Sequence, residues 1–363
     1  MNESARASWR DGADPKVLPA AVREAFPALA GPIEIRPLPG GLLHRSLHVR
    51  TRDGEYVLQR VADVFAPEIH DNIDAVTGHL SSRGFPTTRL VPAIDGRHSM
   101  SLGAEGRWRL MTHLGGVSFR RLRSEAQAES AGRLVGRFHA ALADFDRPLA
   151  PMGIPYRDTG RILAVLREAL EGHSDHRLAG EMVPLGEKVL AAFRELGPAP
   201  ETPPRVIHGD LKLENLLFED REPPGCDRAF ALIDLDTLMR APLWVELGDA
   251  WRSWCNAAGE DTSDARFEMA FFEASARGFL RAPGIDVSTE ERESLVTSIE
   301  RLTLELCARY VTDALEERYF GWDAERFPGR GEHNAVRASG QWRFFEAARR
   351  RRPERESVLR SLA

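Results

Sequence analysis

Cysteine is scarce and scattered. Cys226, Cys255 and Cys307 are odd in number and in no ligand-like spacing, which excludes a disulfide framework and a thiolate metal site. No apolar run approaches the roughly 20 residues that cross a bilayer, and the polar opening segment has no signal-type apolar core. Cytoplasmic residence without a membrane partner is the resulting expectation. Excess positive charge is also missing: the net charge of −6 gives no reason to expect a nucleic-acid partner. Lysine is the rarest of the common charged residues, with Lys16, Lys188 and Lys212 alone among 49 basic side chains. No lysine therefore lies anywhere between positions 16 and 188. Internal repeats are absent too.

What is there is an ordinary globular composition, 42% hydrophobic and 29% charged, over 363 residues. That length suffices for two lobes with a sizeable core, as a monomer or a homodimer. Residues 33–60 alternate like a small sheet. A helix is expected over 67–82, with Ile69, Ile73, Val76 and Leu80 on one face. Strand-like pieces follow near 88–93 and 108–111. After Gly115-Gly116 the pattern turns helical, over 124–145, 161–169, 183–196, 245–256, 265–279, 289–319 and 335–350. A strand-rich first third and a helical remainder give an α+β, two-lobed architecture, with lobes at 1–112 and 113–363.

Two short stretches interrupt the helical part: His208-Gly209-Asp210-Leu211-Lys212-Leu213-Glu214-Asn215 and Ile233-Asp234-Leu235-Asp236. Between them, Leu216-Leu217-Phe218 and Phe230-Ala231-Leu232-Ile233 flank turn residues, the pattern of an antiparallel hairpin. Such a hairpin brings Asn215 and Asp234 to the same open end, where cross-strand Cβ atoms lie about 4.5–5.5 Å apart. Asp234 and Asp236, two apart on an extended chain, share a face. Two carboxylates and an amide oxygen converging in this way call for a cation. Magnesium suits an all-oxygen set completed by water and phosphates. An exposed hairpin with a polar mouth is the plainer alternative for either stretch alone.

The spacing Asp210-x4-Asn215, with an acidic strand end 19 positions after Asn215, matches the phosphotransfer layout of protein kinases. These segments resemble the aminoglycoside phosphotransferase and choline kinase superfamily, the small-molecule branch of the kinase-like fold. Within it, residues 56–61 (YVLQRV), 71–80 (DNIDAVTGHL), 234–237 (DLDT), 247–250 (LGDA) and 318–320 (RYF) resemble the N-acetylhexosamine 1-kinase group. The resemblance implies an ATP- and Mg2+-dependent kinase of a small hydroxyl compound. It assigns Asp210 as catalytic base, and Asn215 and Asp234 as metal ligands. Two departures from protein kinases stand out. Gln59 occupies the third-strand position of their phosphate-holding lysine, so Arg45, Arg60 or the metal must carry more of the phosphate charge. Gly209 replaces their arginine and no Ala-Pro-Glu segment follows, which argues against folded-protein substrates.

Several residues keep two readings. Gly40-Gly41 is either a hairpin bend or a close approach of backbone to ATP phosphates. Lys212 either neutralises charge on the transferred phosphoryl group or is a solvated surface residue. His208 reads as a packing residue of the loop, and Asp249 as a helix-start carboxylate that can accept from the catalytic loop's backbone. Glu305, Arg309 and Asp313 recur every four residues, either as a sugar-bracketing face or as a solvent-facing ion-pair ladder. In the sugar reading, Tyr319, Phe320 or Trp322 would stack on the ring. The basic run 349–352 reads as a solvated helix end. The site expected from sequence is thus Asp210 and Lys212 for chemistry; Gly40, Gly41, Gln59, Asn215 and Asp234 for nucleotide; Asn215, Asp234 and Asp236 for metal; and Asp210, Glu305 and Arg309 for a sugar-like acceptor. Aminoglycoside, choline and homoserine kinases are the rivals, and a nucleotide-binding pseudokinase the rival of another class.

Overall fold

The computed structural model describes residues 18–38, 44–222 and 225–362. The chain forms two compact units. One holds the described residues up to Gly115 together with Asp144–Ile154 and Ile233–Leu238; the other holds the rest.

The first unit is built on an antiparallel sheet. Its elements are α1 (Ala20–Ala25), β1 (Glu34–Pro37), β2 (Arg45–Arg50), β3 (Glu55–Val61), α2 (Ile69–Ser82), β4 (Leu90–Val91), β5 (Met100–Ser101) and β6 (Arg107–Thr112). The strand order is β1-β2-β3-β6-β4, with β5 also paired to β6. Because side chains alternate across a strand, Leu47, Val49, Leu58, Trp108 and Leu110 all turn to one face, where they meet Val22, Phe26 and Leu29. The opposite face carries cross-strand rows: Ser46, Gln59 and Arg109; then His48, Val57 and Met111; then Arg50 and Glu55. Helix α2 buries Ile69, Ile73, Val76 and Leu80, the stripe its spacing predicts.

The second unit is helical. It contains α3 (Glu125–Ala141), α4 (Thr159–Gly172), α5 (Ala179–Leu196), β7 (Pro204–Ile207), β8 (Leu216–Phe218), β9 (Ala229–Leu232), β10 (Met239–Pro242), α6 (Leu243–Trp254), α7 (Met269–Leu280), α8 (Thr289–Ser294), α9 (Ser298–Glu316), α10 (Arg330–Arg350) and α11 (Arg352–Ser361). Side-chain oxygens mark where helices start: Ser124 accepts from the Gln127 N–H, Asp158 from that of Arg161, and Ser288 forms a capping box with Glu291. Helix α9 is buried along nearly its whole length, and Leu304, Cys307, Val311 and Leu315 join the core formed with α4, α5 and α10.

The expected hairpin forms, with Leu216 opposite Leu232. A second ribbon pairs β7 with β10, Met239 opposite Ile207. The helix expected over 289–319 is instead three pieces: α8, a 3-10 turn over Leu295–Thr297, and α9. The basic run at 349–352 does end α10 with Arg349, Arg350 and Arg351 exposed. It crosses from α10 into α11, where Arg352 Nε and the fully buried Arg355 both donate to Glu300. No helix among the described residues is long and apolar enough to cross a membrane.

Candidate active site

The segment after β7 carries Asp210. At Gly209 the backbone takes φ +84°, a left-handed conformation that glycine adopts without Cβ strain and that arginine at this position would not. The turn is held from several sides. The His208 and Gly209 N–H groups donate to the two carboxylate oxygens of Glu246 on α6, at 2.8 and 2.9 Å. The Gly209 carbonyl accepts from the Tyr156 hydroxyl at 3.1 Å and from Arg157 Nη2 at 3.0 Å. Farther along, Trp254 Nε1 donates to the Leu211 carbonyl at 2.8 Å and the Leu213 N–H donates to Ser253 Oγ at 3.2 Å. His208 is buried and its Nδ1 accepts from the Asp210 N–H, so it shapes the loop as expected.

On this loop Asp210 uses one oxygen for the protein. Its Oδ2 accepts from Lys212 Nζ at 2.9 Å and from Asn215 Nδ2 at 3.1 Å. Its Oδ1 has no protein partner among the described residues. Burial pushes the Asp210 pKa up, but the charge and hydrogen bond of Lys212, with Arg157 and His208 adding, outweigh it and bring the group to about 2. The carboxylate is ionised throughout the neutral range. Asn215 also donates from Nδ2 to the Asp210 carbonyl at 2.7 Å. Its NH2 is thereby fixed toward Asp210, and its Oδ1, the atom a hard cation takes, has no partner among the described residues. The residue therefore fits a metal ligand by orientation as well as by type.

Arg157 is the hub of the surrounding charges. Its backbone is left-handed, φ +58°, a conformation that costs about 1–3 kcal/mol for a non-glycine residue and persists only where the surroundings fix it. Its guanidinium reaches Asp249 Oδ1 at 2.8 Å and Glu305 Oε1 at 3.3 Å, and Thr159 Oγ1 donates to Glu305 Oε2 at 2.9 Å. Glu305 is thus committed to protein partners. Asp249 does not start a helix; it lies within α6, accepting from Arg157 and Arg252. Glu246, one helical turn earlier, is the residue that receives the loop's N–H groups. Asp313 also leaves the expected acceptor face: its carboxylate takes the N–H groups of Arg318, Tyr319 and Phe320, which closes the end of α9. Arg309 differs from its neighbours. It stacks over Tyr319 and Phe320, with its guanidinium carbon 5.5 and 5.2 Å from their ring centres, and makes no hydrogen bond or ion pair among the described residues.

In the first unit, Gln59 does lie on the third strand. Its Nε2 donates to Ser46 Oγ at 2.8 Å and its Oε1 accepts from Arg109 Nε at 2.9 Å. Arg109, 1% exposed, forms a two-pronged pair with Asp236, and His44 donates to the same carboxylate. Burial raises the Asp236 pKa and Arg109 and His44 lower it by more, so it stays ionised. Asp234 takes φ +65°, and its carboxylate lies with those of Asp236 and His44's ring nitrogen in a cluster whose donor atoms are within 4.8 Å of one another. Asp236, expected among the metal ligands, lies in this cluster, and both of its oxygens also accept from Arg109. Its oxygens are the counter-charge of a buried arginine, and withdrawing them would leave that cation unpaired, a loss of about 3–5 kcal/mol. Gly40 and Gly41 lie outside the described residues.

Sequence reasoning missed Tyr156, Arg157, Glu246, Arg109 and His44. Arg109 had one visible signal, a single charge inside the strand run Trp108–Met111. The others sit in segments whose partners are far away in the chain.

Three relatives bear on the assignment. A homoserine kinase of Hyphomonas neptunium (strain ATCC 15444) is 28% identical over 242 residues, covering 65% of this chain and 68% of the relative. The solved microcompartment-associated aminopropanol kinase superposes with a TM-score of 0.59 at 17% identity, over 89% of this chain and 94% of the other. An amicoumacin kinase solved with AMP-PNP and Ca2+ gives 0.57 at 11% identity, over 86% and 88% of the two chains. Likeness at these identities shows a shared fold. Residues 34–283 match the profile described as the phosphotransferase enzyme family, and the chain belongs to that family.

Proposed function

We propose that this protein is a Mg2+- and ATP-dependent kinase that phosphorylates the hydroxyl of a small molecule, with the anomeric hydroxyl of a hexose or N-acetylhexosamine as the acceptor. The observation that carries the reading is the state of Asp210: ionised, with one oxygen held by Lys212 and Asn215 and the other open. An open carboxylate oxygen orients an incoming hydroxyl and accepts its proton as the bond to phosphorus forms. Lys212 balances the loop's charge as the phosphoryl group arrives. Asn215 and Asp234 would hold the metal, which when bound offsets the charge of the phosphates. Residues 1–112 would serve the nucleotide and 113–363 the acceptor, with Gln59, Gly40 and Gly41 on the nucleotide side.

Support for a sugar comes from the resemblance to N-acetylhexosamine 1-kinases and from Arg309. A guanidinium flanked by Tyr319 and Phe320, with no ion-pair partner among the described residues, suits a neutral or anionic acceptor and disfavours polycationic aminoglycosides. Glu305 would contribute through Arg157 and Thr159 rather than by direct contact. Homoserine is the second reading, favoured by the 28%-identical homoserine kinase and compatible with Arg309 meeting a carboxylate. The test is a Mg2+-ATP turnover screen over hexoses, N-acetylhexosamines, amino alcohols, homoserine and aminoglycosides, with phosphorus NMR of the product. An anomeric phosphate supports the sugar reading. A phosphate monoester of homoserine replaces it, and ATP binding without transfer to any acceptor supports a pseudokinase.

A further inference from the structure

On the sheet of the first unit, on the face that carries Gln59, a second polar group has no part in the chemistry above. His48 on β2 and Glu55 on β3 lie 3.0 Å apart, from Nε2 to Oε2. His113, the residue after β6, places Nδ1 3.4 Å from that same Oε2. The strand register produces this convergence. Tyr56 pairs with Thr112, and the His113 N–H donates to the Glu55 carbonyl at 3.0 Å, so the ladder continues one step and sets His113 beside Glu55. Arg50 pairs with Glu55 on the other side, and His48 lies two residues before Arg50 on the same face.

We propose that His48, Glu55 and His113 form a transition-metal site, with Zn2+ the ion it fits best. Two imidazoles and one carboxylate are a recurrent zinc donor set, leaving a fourth position for water. Bonds of about 2.0–2.2 Å in tetrahedral geometry separate neighbouring donor atoms by about 3.3 Å. The two observed separations, 3.0 and 3.4 Å, bracket that edge, and all three donor atoms lie within 4.8 Å of one another. The remaining oxygen of Glu55 is held by Arg50, whose Nε donates to Oε1 at 2.8 Å. That hydrogen bond aims Oε2 at the histidines, the orienting role an outer partner plays around a bound metal. The side chains are 14, 39 and 26% exposed, open enough for an ion to enter. A bound ion would tie β2, β3 and the chain after β6 together at one end of the sheet.

The experiment uses the full chain, stripped with a chelator and titrated with Zn2+ by calorimetry and with Co2+ by visible absorption. One ion per chain, with nitrogen and oxygen ligation in the cobalt spectrum, is expected. His48→Gln and His113→Gln should each weaken binding at least about tenfold, and Arg50→Ala by a smaller factor. Melting curves in chelator show whether the variants fold, and a Zn2+-dependent rise in wild-type melting temperature that both glutamine variants lack gives a second readout. Asp234→Asn separates this site from the His44, Asp234 and Asp236 cluster. Zn2+ binding unchanged in the histidine variants, or abolished by Asp234→Asn alone, overturns the proposal. So does the absence of stoichiometric binding, which would leave the three residues as a hydrogen-bonded network only. No readout depends on kinase turnover, so the phosphotransfer assignment stands or falls separately.

Discussion

Glu246 presents two oxygens to two N–H groups inside a site with no exposure. Replacing one oxygen with NH2 in Glu246→Gln sets a donor against a donor, an unsatisfied buried contact of about 1–3 kcal/mol. Because the strained pair belongs to the turn before Asp210, kcat should fall by roughly one to two orders of magnitude, with nucleotide affinity nearly unchanged. Steady-state kinetics and a nucleotide titration check it; an unchanged kcat would show that the turn does not depend on this carboxylate. Nothing local in the sequence marks Glu246, which reads as an ordinary acid in a helix's first turn. Asp210, Lys212 and Asn215 were legible because their partners lie within five residues. The pairing of Asp236 with Arg109 was not legible, because the two lie 127 positions apart. That pair makes stability pH-dependent. A folded pKa below the ordinary 3.8 means its contribution is complete above that value and is lost as pH falls toward the folded one. Asp236→Asn should melt lower at neutral pH and lose part of the wild type's acid-induced fall below about pH 4; equal slopes in the two proteins would contradict the pairing.

Helices α3 and α7 show why an element's position can depend on what a residue lacks. A Cβ at Gly132 would stand 2.0 Å from the Ser275 carbonyl oxygen, and one at Gly278 2.0 Å from that of Glu129. Both obstacles are backbone, so the helices would have to separate. Gly132→Ala and Gly278→Ala should each destabilise by about 1–3 kcal/mol despite alanine's better helix propensity. Denaturant melts check this, and a stabilised variant would refute the close crossing. Periodicity placed most helices and the hairpin, since burial follows spacing. It overran at 319, because the Asp313 carboxylate captures three successive N–H groups beyond α9, and Glu317 turns left-handed. The β7–β10 ribbon was unread, since a proline opens β7 and another closes β10, and the pairing spans more than thirty residues. Helix α11 was unread because its arginines suggest solvent, whereas Arg355 finds Glu300 in the core.

For the whole molecule, charge, composition and two motifs sufficed to point to the family, while the surroundings of Arg309, on which the proposed acceptor assignment rests, depend on tertiary arrangement. Arg309→Ala should raise the acceptor KM by about tenfold or more while leaving the KM for ATP nearly unchanged; equal effects on both would remove Arg309 from the acceptor side. The central claim is that one ionised carboxylate receives the acceptor's hydroxyl. Its most direct test is Asp210→Ala, assayed in parallel for nucleotide binding by calorimetry and for phosphoryl transfer to the best acceptor. The account predicts affinity for Mg2+-ATP within a few-fold of wild type and a loss of at least about a thousandfold in kcat. Turnover retained at near wild-type rate in a folded, nucleotide-binding variant would contradict it.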